Sequence, residues 1–120
     1  MTVRNLQGAS IEELVQEYEQ AAVAHGQALA AGNPRSANRA HDKLASAYRE
    51  LRSRAAASQL LPLLRSKDEN VRVCVAAHAL EFAPEQGEPV LVRFMAHPGL
   101  LRTRAEYTLK AWREGTLKFP

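Results

Sequence analysis

The chain has 120 residues, 46% hydrophobic and 24% charged, with a net charge of +3, and a single domain with an ordinary core is expected at this size. One cysteine, Cys74, excludes an intramolecular disulfide and a cysteine-rich zinc module. No apolar run reaches the ~18 residues of a membrane span, and "MTVRNLQGAS" has no apolar stretch of a secretory signal, so a cytoplasmic, non-membrane protein is expected.

Ser10-Ile11-Glu12-Glu13 fits a capping box, with a hydroxyl at the N-cap and a carboxylate three residues on. Apolar residues then recur at helical spacing through Ile11, Leu14, Val15, Tyr18, Ala22 and Leu29. Gly32 supplies a left-handed stop, and Asn33-Pro34 supplies an N-cap followed by proline in the first helical turn. The second helix carries Ala37, Ala40, Leu44, Tyr48 and Leu51 on its apolar face. Its connection to the first is short enough to make an antiparallel hairpin over 10–56. In that register, residues whose numbers sum to about 66 lie level, which pairs His25 with His41 and Tyr18 with Tyr48.

The first helix is acidic (Glu12, Glu13, Glu17, Glu19). The second is rich in bases (Arg35, Arg39, Lys43, Arg49, Arg52, Arg54). Complementary flanks of two neighbours explain this pattern. A phosphate-binding surface is the other reading, but no aromatics interleave the bases.

A third helix is expected over Ser58–Ser66, with Pro62 tolerable only near its start. Asp68 or Asn70 then caps a fourth helix, Val71 to about Ala83, ended by Pro84. That helix is apolar all round, so it is expected to be buried on both faces. "GEPVLVRFMAHP" marks a fifth helix from Glu88-Pro89 to Pro98-Gly99. Leu101, Ala105, Thr108, Leu109 and Trp112 mark a sixth, which Gly115 ends and on which Leu117 folds back. No stretch alternates with period two, so the chain is read as all-α.

Segments 58–84 and 88–115 each read as a short helix, a turn and a longer helix. At an offset of 29 residues, Val71 corresponds to Leu100, Ala76 to Ala105 and Leu80 to Leu109. Such units need neighbours to bury their faces, and the opening hairpin supplies a third. "LLPLLRSKDENVRVCVAAHAL" resembles a HEAT repeat: a leucine-rich helix with Pro62, an acidic turn at Asp68, the Val71-Arg72 pair, and a small-small-large ending at Ala76, Ala77 and Leu80. The resemblance implies a short HEAT-like α-solenoid of antiparallel hairpins. It also implies a structural role for Arg72, paired with Asp68 or a turn acid of a neighbouring unit.

From about Ile11 to Lys118 the chain further resembles the small bacterial helical family known as domain of unknown function 2019. "AYRELRSR" (47–54), "AAHALEFAPEQGEPVL" (76–91) and "AEYTLKAWREGTLKFP" (105–120) carry that resemblance. "HPGLLRTRAEYTL" departs from it, since more glycine is expected before the last helix. The resemblance implies the fold and no activity.

Several polar residues invite a functional reading. His78 and Glu81 are three apart and share a helix face, either as a buried pair or as a contact for a ligand or partner. The HxxE spacing lacks the nucleophile, phosphate loop or further metal ligands of a catalytic site. His25 and His41 are placed on the apolar stripes, where they either pack together or begin a metal site lacking a third ligand. Trp112, followed by Arg113, either caps the core or anchors a partner. Cys74 reads as a small core hydrophobe.

A protein-interaction module is the expected function, such as a bacterial adaptor or an immunity-type protein, with another protein as partner and no catalysis or cofactor. This rests on analogy of fold. A nucleic-acid binder using the bases of the second and last helices (Arg102, Arg104, Lys110, Arg113) is the first alternative. A metal or ligand protein using the histidines is the second.

Overall fold

A computed structural model describes residues 6–120. Residues 1–5 of the opening segment, where no secretory signal is expected, lie outside the described residues. Among the described residues the chain is all-helical, with no strand. The helices are α1 (Ile11–Ala30), α2 (Pro34–Ser53), a 3-10 helix (Ala57–Arg65), α3 (Glu69–Ala79), α4 (Pro84–Phe94) and α5 (Leu100–Arg113). Among the described residues, no helix is long and apolar enough to cross a membrane.

The chain divides into two compact units. The first runs to Gln59, and the second is Leu60–Phe119. In the first unit the expected capping box is present: Ser10 Oγ accepts from the Glu13 amide at 3.1 Å, and the Ser10 amide donates to Glu13 Oε1 at 2.9 Å. Asn33 caps α2 by accepting from the Ser36 amide at 3.1 Å, and Pro34 sits where its missing N–H is harmless. Between them the chain reverses at Gly32, φ +67°. The Gly32 amide donates to the Leu29 carbonyl and the Asn33 amide to that of Ala28, the two bonds of a Schellman stop. α1 and α2 pack on each other. Their buried residues include Leu14, Tyr18, Ala21 and Ala22 on α1 and Ala40, Leu44, Tyr48 and Leu51 on α2.

α2 ends with the same pair of bonds, Ala55 to Arg52 and Ala56 to Leu51. Here the left-handed position is taken by Ala55, φ +55°. The adjacent Arg54 ties down the segment before α1. Its guanidinium donates to the carbonyls of Leu6 at 3.0 Å, Gln7 at 2.9 Å and Ala9, and to Glu50 Oε2 at 2.8 Å.

In the second unit Val73, Ala76 and Leu80 of the α3 segment form one core with Val90, Leu91 and Phe94 of α4 and Ala105 and Leu109 of α5. Leu64, Met95, Leu101, Trp112 and Leu117 pack against it, partly buried. The Leu117 amide donates to the Ala111 carbonyl, so the chain after Gly115 does fold back. α3 is buried on its other sides too, at Val71, Val75, His78 and Ala79.

Three boundaries differ from expectation. The stretch 57–65 is a 3-10 helix, not an α-helix, with Pro62 inside it. Pro84 does not stop the fourth helix; α3 ends at Ala79 and Pro84 opens α4. A proline stops one helix and suits the first turn of the next equally well, so the residue alone does not decide. Pro89, expected at the start of that helix, lies within it. Of the offset pairs, Ala76 with Ala105 and Leu80 with Leu109 share the core, whereas Val71 is fully buried and Leu100 is 55% exposed.

Candidate functional site

The polar residues of the second unit sort by what they touch. Asp68 is the N-cap of α3, its Oδ1 accepting from the amides of Asn70 at 2.8 Å and Val71 at 3.1 Å. Arg72 donates to the Ser66 carbonyl at 2.6 Å and approaches Glu69 at 3.9 Å. The acid near Arg72 is Glu69, the first residue of α3 itself, rather than Asp68 or a turn acid of a neighbouring unit, because Asp68 is committed to the helix cap.

His78 is buried, 6% exposed, with its ring 4.5 Å from that of Phe119. Glu81 is exposed, and its amide donates to the His78 carbonyl at 3.0 Å. Solvent and a partner therefore reach Glu81 far more readily than His78.

Cys74 is buried, with Arg104 Nη2 3.3 Å from its Sγ. Burial pushes the thiol pKa up, and the Arg104 guanidinium opposes this without reversing it. A thiol held protonated is a poor nucleophile. Arg104 also donates to Asn70 Oδ1 at 3.3 Å, which links α5 to the start of α3.

In the first unit the rings of His25 and His41 do lie level, with centroids 6.0 Å apart and planes tilted by 53°. His41 is not on the apolar stripe: its side chain is 58% exposed and 4.0 Å from Asp42. No group of three or more His, Cys, Asp or Glu side chains is placed to hold a metal ion among the described residues. Where acidic α1 meets basic α2, Glu17, Gln20, Ser36, Arg39 and Lys43 line a groove of about 340 Å³.

α5 has two faces. Ala105 and Leu109 are buried, and Trp112 packs on the core half-buried. Arg113 reaches Glu88 of α4 at 3.3 Å. On the outer face Leu100 is 55% exposed and Tyr107 74% exposed. Seven residues apart, they sit on one stripe, two turns from each other. The sequence reasoning missed Tyr107. The signal was its position off the stripe of Leu101, Ala105, Thr108 and Trp112.

No protein-family model matches the chain, and no curated protein matches it. The chain is similar to a solved structure, the crystal structure of the protein RPA1889 from Rhodopseudomonas palustris CGA009. The two share 23% identity over 97% of this chain and 98% of that one, with a TM-score of 0.89. The likeness shows a common all-helical fold.

Proposed function

We propose that this protein is an interaction module that docks the outer face of α5 on another protein. Tyr107 carries the reading. Of the three tyrosines, Tyr18 and Tyr48 are fully buried, while Tyr107 stands 74% exposed. A lone exposed apolar residue needs no explanation, but Tyr107 shares its stripe with exposed Leu100. Tyrosine is enriched at the energetic centres of protein interfaces, because its ring buries a large area and its hydroxyl still finds a partner. The exposed Arg102–Glu106 pair, 3.7 Å apart on a flank of the same helix, mixes the charge of its exposed surface, which suits a protein better than a polyanion.

The HEAT-like reading and membership of the domain of unknown function 2019 family belong to the same proposal. Their support is the pairing of Ala76 and Leu80 with Ala105 and Leu109 in one core. An adaptor or immunity-type role fits a module of this kind.

A photo-reactive phenylalanine analogue at position 107, and separately at exposed position 35, tests the docking face in living cells. A discrete cross-linked adduct from position 107 and none from position 35 is expected. Tyr107→Ala with Leu100→Ala should abolish capture of that partner while leaving the unfolding midpoint unchanged. No adduct at 107, or the same adduct from both positions, overturns the proposal.

A further inference from the structure

A second surface in the Leu60–Phe119 unit has different chemistry. Arg72 on α3, Arg93 on α4 and His97 just beyond α4 line a cleft of about 250 Å³ with Leu64, Val90 and Phe94. Three of the lining residues are apolar, three carry nitrogen-bearing polar side chains, and none is acidic.

Its polar residues differ in how far they are committed. Arg72 is held: it donates to the Ser66 carbonyl at 2.6 Å, and its Cζ lies 5.7 Å from the Phe94 ring centroid. His97 is held by Glu69, 3.0 Å from its Nε2, and its ring lies 4.9 Å from that of Phe94. The Arg93 side chain makes no ion pair and no hydrogen bond among the described residues. Glu69, at the edge of the set, also lies 3.9 Å from Arg72. Glu69 is thus engaged by Arg72 and His97, while Arg93 is exposed beside the apolar residues of the cleft.

We propose that this cleft binds a small organic carboxylate, its charged end on Arg93 and Arg72 and its apolar body against Leu64, Val90 and Phe94. Guanidinium groups match the planar, two-oxygen geometry of a carboxylate. Arg72, anchored at Ser66 and over Phe94, is preorganised, which lowers the ordering cost of binding. The volume is below the ~300–1,000 Å³ typical of pockets for drug-sized ligands. It suits a body the size of one aromatic ring or a branched chain. None of the cleft's lining residues lies on α5, and the proposal does not depend on the docking reading.

Benzoate is the probe, with benzamide, acetate and inorganic phosphate as comparisons, titrated into the full chain while backbone amide resonances are followed by NMR. Benzoate should saturate with a dissociation constant on the order of millimolar, as its few heavy atoms allow, and the shifts should centre on Leu64, Arg93, Phe94 and His97. Benzamide, which lacks the charge, and acetate, which lacks the body, should each bind at least about fivefold more weakly. Arg93→Gln, at an exposed helix position, should weaken benzoate by a similar factor, and Arg35→Gln should leave it unchanged. Non-saturating or dispersed benzoate shifts overturn the proposal. So do benzamide equal to benzoate, phosphate tighter than benzoate, or Arg93→Gln without effect.

Discussion

Gly87 of α4 faces Ala76 of α3 so closely that a Cβ on Gly87 would stand 2.5 Å from the Ala76 carbonyl oxygen and 3.0 Å from the Cβ of Ala79. Only hydrogen fits there, and the two helices pack at that distance because position 87 has no side chain. Gly87→Ala gains about 1 kcal/mol of helix propensity. It must also displace backbone, an overpacking penalty of roughly 1–3 kcal/mol or more. A net loss of up to about 2 kcal/mol or more in urea denaturation is expected from these opposing terms. Gly8→Ala, where nothing lies within 4 Å, should change stability by less than about 0.5 kcal/mol.

The ring of buried His78 lies 4.5 Å from that of Phe119, the two planes tilted by 51°. His78→Ala should cost roughly 1–4 kcal/mol, from the cavity and the polar partners it leaves. Phe119→Ala should be non-additive with it by about 0.5–1.5 kcal/mol. Half-buried Trp112 should lose about 1–3 kcal/mol on truncation, under the ~3–5 of a fully buried tryptophan. Chemical denaturation of the three single variants and the His78/Phe119 double variant measures all three quantities. A His78→Ala protein as stable as the parent would place His78 outside the core.

Local chemistry made the hairpin legible. Ser10 with Glu13, Asn33 with Pro34, and Gly32 act within a few residues of themselves, so their roles can be read without tertiary structure. The α3–α4 boundary could not be read this way, because Pro84 satisfies both a stop and a start. The exposure of His41 depends on where the wide apolar face of α2 ends, which spacing alone does not fix. Phe119 follows the last helix and has no periodicity to announce that it covers His78. Tyr107 lies off the apolar periodicity of α5, so spacing does not mark it. The carboxylate cleft unites Leu64, Arg72 and His97 across three segments, a proximity that only packing creates.

The state of Cys74 sets a pH dependence. Burial raises its pKa in the folded protein, so above roughly 8.5, the ordinary cysteine value, the unfolded chain gives up the proton while the folded chain keeps it. The associated stability is fully present below that pH and falls as pH rises toward the folded pKa. The stability difference between the parent and Cys74→Ala should therefore shrink as pH rises above about 8.5. Thiol labelling by an aromatic disulfide should be slow in the native protein and fast in denaturant. Equal rates would show an accessible thiolate.

Ala55 forms its Schellman stop in the conformation that α1 assigns to Gly32. A residue with a Cβ is disfavoured there by about 1–2 kcal/mol, partly offset by the greater freedom glycine has in the unfolded chain. Ala55→Gly should therefore raise the unfolding free energy by about 0.5–1 kcal/mol, read from the denaturation midpoint. α2 is thus terminated against the local preference of its own chain, and the stability withheld there can be recovered by deleting one methyl group.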